Sequence, residues 1–483
     1  MVSSENKRIV IAGAGIAGLS TAWAIKQRAP DVDVVVLERG QRAGGNIRTE
    51  HIDGYVCESG PDGFLDNAPD TMALVRELGL TARLLPSNDA ARRRYIFRSN
   101  RLSEVPTSAA AFLKSPLLSL RGKIRILGEP FAAPRRDDDE SIIGFASRRI
   151  GSEAAAVFVD PMVSGVYAGD AAALSLKACF PKMRQIEDDH GGLLRGLIAT
   201  RRSRKKTDIP GAPAGRLTSF TGGMSDLIDG LTRELGSVVH TSTAVTSIRR
   251  NQASSLSPNQ PPRRAYIVTT SRGTLDADAV VLSGPAAEAA AIVRELDESL
   301  ASSIEGIPTS PLAVVCLGYD EPAIRSECRL DGFGFLVPRD QGIRILGALW
   351  ETCIYQHRAP AGKVLIRVMI GGANDLDAVS LCDSELRRIV RSDLRRTMNV
   401  SATPEFVRVT RHPRGIPQYV RGHLTRMQRI EALLGAHRGL LLAGNSYRGV
   451  SINACIANAP TVADAALRAV GRGLSGQPGA MIA

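Results

Sequence analysis

The chain has few of the features that mark membrane-spanning and disulfide-linked proteins. No run of about eighteen consecutive apolar residues occurs in its 483 residues, so no transmembrane helix is predicted. Its seven cysteines are scattered and lack the CxxC spacing of zinc and redox motifs. They therefore predict reduced thiols in a cytosolic protein and no metal site.

Histidines and aromatic residues are also sparse. The seven histidines show no triad spacing and no paired carboxylates stand out, so no side chain is predicted to act as a catalytic acid or base. Aromatic residues make up 4% of the chain and do not alternate with its basic clusters. A base-stacking surface for single-stranded nucleic acid is therefore not supported, and no nucleic-acid partner is predicted.

Basic residues, in contrast, are in excess, with a formal net charge of +12. They cluster at Arg92–Arg94 and at residues 201–206. A solvated basic surface and the binding of an anionic small substrate both remain open. The polar segment Met1–Lys7 leads directly into the first predicted strand, which leaves no room for a signal peptide, so a cytoplasmic location is expected.

The first forty residues have the pattern of a dinucleotide-binding unit. An apolar run at residues 8–12 predicts a buried strand, and a second run at residues 32–37 predicts another. Between them, apolar residues at helical spacing over residues 19–28 predict a helix. Strand, glycine turn, helix and strand occur in the order that a Rossmann-type βαβ unit requires.

Within this unit, each glycine has a predicted role. Gly13 permits the tight turn, Gly15 lets a pyrophosphate approach the backbone, and Gly18 lets helix and strand pack closely. Glu38, which follows the second strand, is placed to accept hydrogen bonds from a ribose. The pattern therefore predicts an adenine dinucleotide whose phosphates lie at the helix N-terminus.

A glycine pair follows the predicted ribose-binding acid. Gly44 and Gly45 stand near Arg39 and Arg42, which suits a loop that wraps a phosphate because glycine allows close approach and arginine supplies paired donors. An ordinary hairpin turn is the alternative. The segment Glu58–Asp62, which contains Gly60 and Pro61, is expected to bring rigid backbone back to the same site.

Further along the chain, helical and extended patterns alternate. Residues 107–127 predict a basic amphipathic helix, for which contact with a membrane surface and core packing both remain open, and residues 142–166 also predict helix. Residues 313–370 predict an antiparallel sheet. Residues 439–445 predict a last buried strand, followed by a helix to about residue 470.

These patterns predict an α/β protein, α+β overall, with a discontinuous Rossmann-like domain that binds a dinucleotide cofactor. Into it are inserted a substrate domain with a mixed or antiparallel sheet and a helical subdomain. The predicted ranges are 1–88, 216–290 and 416–475 for the cofactor domain, 89–106 and 291–415 for the substrate domain, 107–200 for the helical subdomain, 201–215 for a linker and 476–483 for a loose tail.

Several motifs resemble those of FAD-dependent amine oxidases and protoporphyrinogen oxidases. The general motifs are GAGIAGLSTAW, LERGQRAGGNIRT, ESGPDGF and LLLAGNSYRGVSINACI. Four further stretches are similar to the protoporphyrinogen oxidase branch in particular: RRYIFRSNRLSEVP, SGVYAGDAAALSLKACFP, GFGFLVP and GIPQYVRGH. Together they extend over nearly the whole chain.

The resemblance implies an FAD site at both ends of the chain. The implied cofactor residues are Gly13, Gly15, Gly18, Glu38, Arg39, Arg42, Gly44, Gly45, Gly60, Pro61, Val245, Asn445, Val450, Ser451 and Ile452. Among these, Val245 corresponds to the backbone clamp on adenine, and residues from Asn445 onward correspond to the turn and helix start that approach the flavin ring. The flavin, rather than a side chain, would carry the chemistry.

The resemblance also implies a substrate site. Arg94 corresponds to the arginine that pairs with a propionate, with Arg92 and Arg93 as adjacent alternatives. Gly165 corresponds to the glycine whose carbonyl faces the pyrrole nitrogens, and Gly169 is its alternative. The positions that enclose the rings are Phe333, Leu336 and Tyr355, of which tyrosine at 355 departs from the apolar residue expected.

The function implied is oxidation of protoporphyrinogen IX to protoporphyrin IX in heme biosynthesis, with oxygen as acceptor. Oxidation of coproporphyrinogen III is the alternative substrate. An amine oxidase or carotenoid desaturase, and a non-catalytic basic module that binds nucleic acid or membrane, are the rival classes. Peripheral contact with the cytoplasmic membrane and formation of a homodimer are left open by the sequence.

Overall fold

A computed structural model describes residues 6–135, 137–203, 215–251 and 264–472. At its centre is a five-stranded sheet in which every pairing is parallel. In spatial order its strands are β10 (Val239–His240), β2 (Asp33–Leu37), β1 (Arg8–Ala12), β14 (Ala279–Leu282) and β20 (Leu440–Leu442). Strands from both ends of the chain thus lie in one sheet, as expected for a discontinuous Rossmann-like unit.

Side chains of β1 alternate between two apolar cores. Ile9 and Ile11 face the helices α1 (Ile16–Arg28), α11 (Ser225–Leu235) and α18 (Ile452–Ala469). Val10 and Ala12 face the helices α12 (Ala286–Val293), α13 (Glu298–Glu305) and α17 (His423–Leu434). Because both faces of the sheet are covered, β1 needs a continuous apolar, β-branched sequence, and this is why the pattern at residues 8–12 predicted it correctly.

A seven-stranded sheet forms the second layer of the molecule. Its spatial order is β19 (Phe406–Pro417), β15 (Thr309–Asp320), β18 (Lys363–Gly371), β17 (Ile345–Trp350), β16 (Gly334–Leu336), β7 (Tyr95–Arg98) and β8 (Arg101–Glu104). The pairing is antiparallel except between β16 and β7, which makes the sheet mixed. The antiparallel pattern predicted for residues 313–370 is confirmed.

Smaller sheets connect the two large ones. They comprise the hairpin of β3 (Thr49–Ile52) and β4 (Tyr55–Glu58), the sheet of β5 (Phe64–Leu65), β9 (Leu217–Phe220) and β6 (Leu84–Pro86), and the meander of β11 (Val245–Arg250), β12 (Tyr266–Thr270) and β13 (Gly273–Ala277). The remaining helices near the sheets are α2 (Pro69–Glu77), α14 (Glu321–Glu327), α15 (Glu351–Ile354) and α16 (Asp383–Met398).

Residues 107–127 do not form the single helix that the sequence predicts. They form α3 (Ala109–Lys114) and α4 (Leu120–Leu127), each with its own serine cap. Oγ of Ser108 accepts from the N–H of Ala111, and Oγ of Ser119 accepts from the N–H of Gly122. Pro116 disfavours a helical conformation of the residue before it, and Ser119 then caps a second helix. Together they divide the segment into α3 and α4.

The helical pattern over residues 142–166 is also interrupted. Gly151, at φ +91°, ends α5 (Ile142–Ile150), and the chain continues through α6 (Ser152–Ala154), a wide π turn at Ala155–Val159 and α7 (Asp160–Tyr167). A positive φ is accessible to glycine without strain, so the break falls there. The next helices are α8 (Leu176–Cys179), α9 (Pro181–His190) and α10 (Leu193–Ser203).

Two predicted regions lie partly or wholly outside the described residues. Of the predicted linker at 201–215, residues 201–203 belong to α10 and residues 204–214 are not described. The predicted tail at 476–483 is not described. Within the described ranges, no helix has both the length and the apolar character needed to cross a bilayer.

Candidate functional site

The glycine turn between β1 and α1 is tightly packed at two positions and open at the third. Gly13 adopts φ +107°, and a Cβ on Gly18 would lie 2.1 Å from the carbonyl oxygen of Gly13. A Cβ on Gly15 would meet no atom within 4 Å. Gly13 and Gly18 are thus required by the backbone conformation and packing of the turn. Gly15 instead leaves space above the N-terminus of α1, where the free N–H groups of a helix attract phosphate.

Glu38 lies at the edge of this space. Its Oε2 accepts from the N–H of Ala14 at 2.9 Å, and its Oε1 accepts from the N–H of Gly40 at 2.8 Å. Each carboxylate oxygen has a second acceptor position, so the group can still receive the two hydroxyls of a ribose. The contacts with Ala14 and Gly40 hold the carboxylate at the end of β2, where the sequence places it.

The Gly44–Gly45 turn packs directly on the first glycine turn. The N–H of Gly44 donates to the carbonyl oxygen of Ala14 at 2.7 Å, and a Cβ on Gly45 would be 3.5 Å from the Cα of Gly15. The guanidinium of Arg42 donates to the carbonyl oxygens of Ala43, Ile47 and Gly45. Arg42 therefore braces this turn from within.

Arg39 lies farther out. Its guanidinium forms an ion pair with Glu288 at 2.6 Å and is largely exposed. The phosphate-binding roles predicted for Arg39 and Arg42 stay predictions, since both guanidiniums already have protein partners.

Val245 begins β11 close to the acid. The segment before it runs beside Glu38, because the N–H of Thr243 donates to the carbonyl oxygen of Glu38 at 2.7 Å. Val245 itself packs at the margin of the core on this side of the sheet. This position suits a contact with the adenine end of a dinucleotide.

The turn that precedes α18 lies close to the first glycine turn, because a Cβ on Gly444 would be 3.7 Å from the Cβ of Ala17. Ser451 caps α18 by accepting from the N–H of Ala454 at 3.1 Å, and Ile452 is buried in the core shared with α1. Val450 packs against the helical segment. The carbonyl oxygen of Asn445 accepts from the hydroxyl of Tyr419 at 2.6 Å, which fixes the preceding turn.

Gly60 and Pro61 follow β4, and Gly60 packs against the backbone just after the Gly44–Gly45 turn. A Cβ on Gly60 would lie 1.9 Å from the carbonyl oxygen of Asn46, so only glycine fits there. The carbonyl oxygen of Gly60 accepts from the guanidinium of Arg367. Together with the open space at Gly15, the acid at β2 and the capped start of α18, these residues fit an extended FAD molecule, which would supply a two-electron acceptor when bound.

The three consecutive arginines at 92–94 have different surroundings. Arg92 pairs with Asp89 at 3.2 Å, and Arg93 pairs with Asp331 at 2.7 Å. The guanidinium of Arg94 lies 5.2 Å from the ring centroid of Phe333, and neighbouring protein partly desolvates it, which lowers its pKa. Within the described ranges, no carboxylate pairs with Arg94, so it is the arginine of this group whose charge is available to a ligand.

Gly165 and Leu336 are also brought together. A Cβ on Gly165 would lie 2.6 Å from Cδ2 of Leu336, so the glycine allows α7 to lie directly on the β16 side chain. Gly169 instead lies beside Gln418, whose Oε1 would be 2.5 Å from a Cβ. The strand β16 is thus surrounded by Arg94, Phe333, Leu336 and Gly165. Gly169 lies in a neighbouring turn.

Tyr355 is fully buried and packs with Phe333, Leu349 and Ile354. Its hydroxyl has no hydrogen-bond partner among the residues that the structure describes, and burial raises the pKa of its phenol.

The hydroxyl of Tyr355 faces a buried charged cluster that the sequence analysis did not identify. We call this the polar cluster; its members are Glu58, Asp62, Glu351, Tyr355, Arg358 and Arg367. One sequence signal was available: Arg367 interrupts the otherwise apolar run of β18.

Comparisons with known proteins, in sequence and in structure, point to one protein family. Residues 16–467 match the family described as flavin containing amine oxidoreductase. Coproporphyrinogen III oxidase of Bacillus subtilis (strain 168) is 32% identical over 471 residues, which cover 94% of this chain and 97% of that protein. The chloroplastic protoporphyrinogen oxidase of Oryza sativa subsp. japonica is 34% identical over 469 residues, which cover 93% and 86% of the two chains.

The similarity to known proteins extends to the fold. A solved structure from Exiguobacterium sp. 255-15 superposes with a TM-score of 0.81 at 26% identity and covers 95% of this chain and 98% of that one. The family match at residues 16–467 includes the helical segment and every strand of the two large sheets except β1. The chain therefore belongs to the flavin containing amine oxidoreductase family and is an FAD-dependent oxidoreductase.

Proposed function

We propose that the protein oxidises a porphyrinogen to the corresponding porphyrin, with FAD as the hydride acceptor and oxygen as the final electron acceptor. The observation that carries this proposal is the Arg94 guanidinium, which has no carboxylate partner among the described residues and lies over the Phe333 ring beside the Gly165–Leu336 contact. An apolar surface next to such a cation suits a large, flat ring system that carries carboxylates. The names of the relatives from Bacillus subtilis and Oryza sativa support the same substrate class.

Each of these residues has a distinct task in the proposed reaction. Arg94 binds a propionate and so fixes the orientation of the ring. Phe333 and Leu336 exclude water from its faces, and Gly165 lets α7 pack closely on Leu336, which fixes the position of that side chain. A bound flavin would accept the hydride directly, so positioning of the reacting carbon is the main contribution of the protein.

The test is aerobic incubation of the FAD-loaded enzyme with protoporphyrinogen IX and, separately, coproporphyrinogen III. Formation of porphyrin is followed by its fluorescence and compared with the autoxidation rate of each substrate alone. We expect enzyme-dependent oxidation of protoporphyrinogen IX; preference for coproporphyrinogen III would select the alternative substrate. Oxidation of neither, combined with turnover of an amine, would contradict the proposal.

Arg94→Ala is expected to weaken substrate binding and to leave the flavin content unchanged. A hydrogen bond to a charged group contributes about 1.5–3 kcal/mol, so KM should rise by roughly one to two orders of magnitude. The matched control is Arg93→Ala, because Arg93 is exposed and already pairs with Asp331. Equal effects of the two substitutions would remove Arg94 from the substrate site.

We also propose that α3 and α4 contact an anionic membrane surface. Four apolar side chains of this segment are between 60% and 73% exposed: Leu113, Leu120, Ile124 and Leu127. Phe131, four residues after the end of α4, is 88% exposed. Residues 109–128 contain no acidic residue, and Lys114 and Arg121 are exposed beside the apolar side chains. An exposed apolar stripe with basic flanks is the pattern of an interfacial helix.

The double variant Leu120→Asp/Leu127→Asp is therefore expected to lose binding to vesicles. Co-sedimentation would compare vesicles of phosphatidylcholine alone with vesicles that also contain phosphatidylglycerol, and the wild type should bind the second kind. Leu376→Asp is the control, because Leu376 is equally exposed at 59% but lies outside this segment. Failure of the wild type to bind either vesicle would contradict the proposal.

A further inference from the structure

The segment that contains β16 is joined to α7 at three points. A Cβ on Gly165 of α7 would lie 2.6 Å from Cδ2 of Leu336. Three residues after Leu336, Nε of Arg339 lies 3.0 Å from Oδ2 of Asp160, the first residue of α7. Nη2 of the same guanidinium donates to Oδ1 of Asp170, just beyond the end of α7, at 2.8 Å. One arginine therefore links both ends of the helix to the strand that carries Leu336.

We call Arg339, Asp160 and Asp170 the arginine clamp. The side chain of Asp160 is 9% exposed, so water screens its charge little, and removal of Arg339 leaves this carboxylate without the cation that faces it. Oδ1 of Asp170 also accepts from the N–H of Ala172 at 2.8 Å, which orients the carboxylate toward the guanidinium. A guanidinium that bridges two oriented carboxylates sets direction as well as distance.

The start of α7 borders a cavity of about 410 Å³. The cavity is lined by all three residues of the arginine clamp and, toward β7 and α6, by Arg98 and Glu153. The wide π turn at Ala155–Val159, which leads into α7, forms another part of its wall. Because this side of the helix adjoins a void, close packing does not prevent a shift of the helix toward the cavity. The clamp opposes that shift.

The end of α7 has separate supports. The carbonyl oxygen of Tyr167 accepts from Nε2 of Gln418 at 2.8 Å. The carbonyl oxygen of Ala168 accepts from Oγ of Ser310 at 2.6 Å and from the N–H of Ala373 at 2.8 Å. These donors lie in or next to β19, β15 and β18 of the seven-stranded sheet. Loss of the clamp is therefore expected to free the start of α7 while its end stays attached.

We propose that Arg339 is a positioning residue of the porphyrinogen site and acts through α7. This inference rests on the proposed function. By holding the start of α7, Arg339 keeps Gly165 in place on Leu336 and so fixes the side chain that faces the ring. A displaced Leu336 would let the ring tilt, and the reacting carbon would then lie at the wrong distance from the flavin.

Substrate binding by Arg94 does not depend on the clamp. The strands β7 and β16 pair in parallel. Arg94 precedes β7 and Arg339 follows β16, so the two arginines lie at opposite ends of this strand pair. A propionate can therefore still bind at Arg94 when the clamp is broken. The expected defect lies in the reaction step rather than in substrate binding.

Arg339→Met tests this proposal. For the preferred porphyrinogen, kcat is expected to fall by roughly tenfold or more, while KM changes by less than about threefold. This is the opposite of the pattern expected for Arg94→Ala. Anaerobic reduction of the flavin by the porphyrinogen should slow to the same extent, whereas reduction by dithionite, which needs no ring site, should keep the wild-type rate. A kcat within about twofold of the wild-type value, or a loss confined to KM, would overturn the proposal.

The matched control is Arg344→Met. Arg344 makes two hydrogen bonds to Asp375, at 2.9 and 2.7 Å, and its side chain is 41% exposed, compared with 38% for Arg339. Its ion pair lies outside the arginine clamp. The control is expected to keep wild-type kcat and KM. An equal loss of kcat in both variants would show a general effect of removing an ion pair and would overturn the proposal.

A double-mutant cycle tests whether Arg339 acts through Asp160. Asp160→Asn keeps the shape of the side chain and removes its charge. In combination with Arg339→Met it should cause no loss of kcat beyond that of Arg339→Met alone. Losses that multiply would show that the two residues act independently and would overturn the proposal. If Arg339→Met does not retain FAD, Asp160→Asn serves as the test, with the same expected split between kcat and KM.

Hydrogen exchange gives a readout that does not depend on turnover. In the substrate-free holoenzyme, the backbone amides of α7 should exchange faster in Arg339→Met than in the wild type, and at the wild-type rate in Arg344→Met. Unchanged exchange in Arg339→Met would overturn the proposal. If the wild type oxidises no porphyrinogen, the proposed function fails, while the exchange rates still decide whether Arg339 holds α7.

Discussion

Gly18→Ala is expected to yield a protein that retains no FAD after purification. The new Cβ would lie 2.1 Å from the carbonyl oxygen of Gly13 and 2.5 Å from Oγ of Ser283. Because the first contact is with backbone, α1 must move away from the turn, which distorts the loop predicted to hold the pyrophosphate. Overpacking of this kind costs about 1–3 kcal/mol. The ratio of flavin to protein absorbance measures the loss, and urea unfolding of the apoprotein measures the stability.

The same substitution at Gly15 separates stability from binding. Gly15 has extended backbone with φ −74° and ψ 177°, and its Cβ would meet no atom within 4 Å. Apoprotein stability is therefore expected to stay the same or rise by about 0.4–1 kcal/mol. FAD affinity is expected to fall by roughly tenfold or more, because the methyl group would occupy the pyrophosphate space. Unchanged affinity would show that the pyrophosphate lies elsewhere.

Arg358→Met is expected to lower the free energy of unfolding by roughly 3–5 kcal/mol, because it leaves Glu58 buried without its cation. The two side chains are each 1% exposed, and Nη2 of Arg358 also donates to Oγ of Ser219 at 2.7 Å. Glu58 in turn accepts from the N–H of Met224 and from the hydroxyl of Thr49. The midpoint of urea unfolding, followed by circular dichroism, measures the effect.

The double variant Glu58→Gln/Arg358→Met is the control for that experiment. It removes the uncompensated charge and should be more stable than Arg358→Met alone. Burial raises the pKa of Glu58, although Arg358 opposes the shift, so without Arg358 the folded protein takes up a proton at Glu58 more readily. The loss in Arg358→Met should then be smallest near the ordinary carboxyl pKa of 4.5 and increase as the pH rises. A loss independent of pH would contradict this explanation.

The FAD-binding unit could be predicted from sequence because its determinants are local. Four apolar residues in β1, three glycines and the acid after β2 lie within one short segment, and each follows from backbone geometry or burial. The division between α3 and α4 could not be predicted as easily. Ser119 caps α4 while donating to Glu153 at 2.6 Å, and that carboxylate lies 34 residues away. A distant contact thus helps to place the break.

The polar cluster could not be predicted from the sequence, because its members are distant from one another along the chain. Its members lie on β4, on the loop after it, on α15, on β18 and between these elements, and each is an ordinary charged residue in its own sequence context. Only folding brings Glu58 to Arg358, which is 300 residues later. The resemblance to known enzymes placed Tyr355 near the substrate, but its contact with buried charges depends on the side-chain geometry of this chain.

The split five-stranded sheet has a consequence for biosynthesis. β20 pairs with β14, and α18 packs on α1, yet these partners come from opposite ends of the described chain. A ribosome that adds about 5–20 residues per second needs roughly 20–90 s to pass from β1 to β20. During that interval α1 lacks the cover that α18 provides, so the nascent chain exposes apolar surface of the kind that promotes aggregation. The central sheet and the groove predicted for FAD are complete only once β20 and α18 have been synthesised.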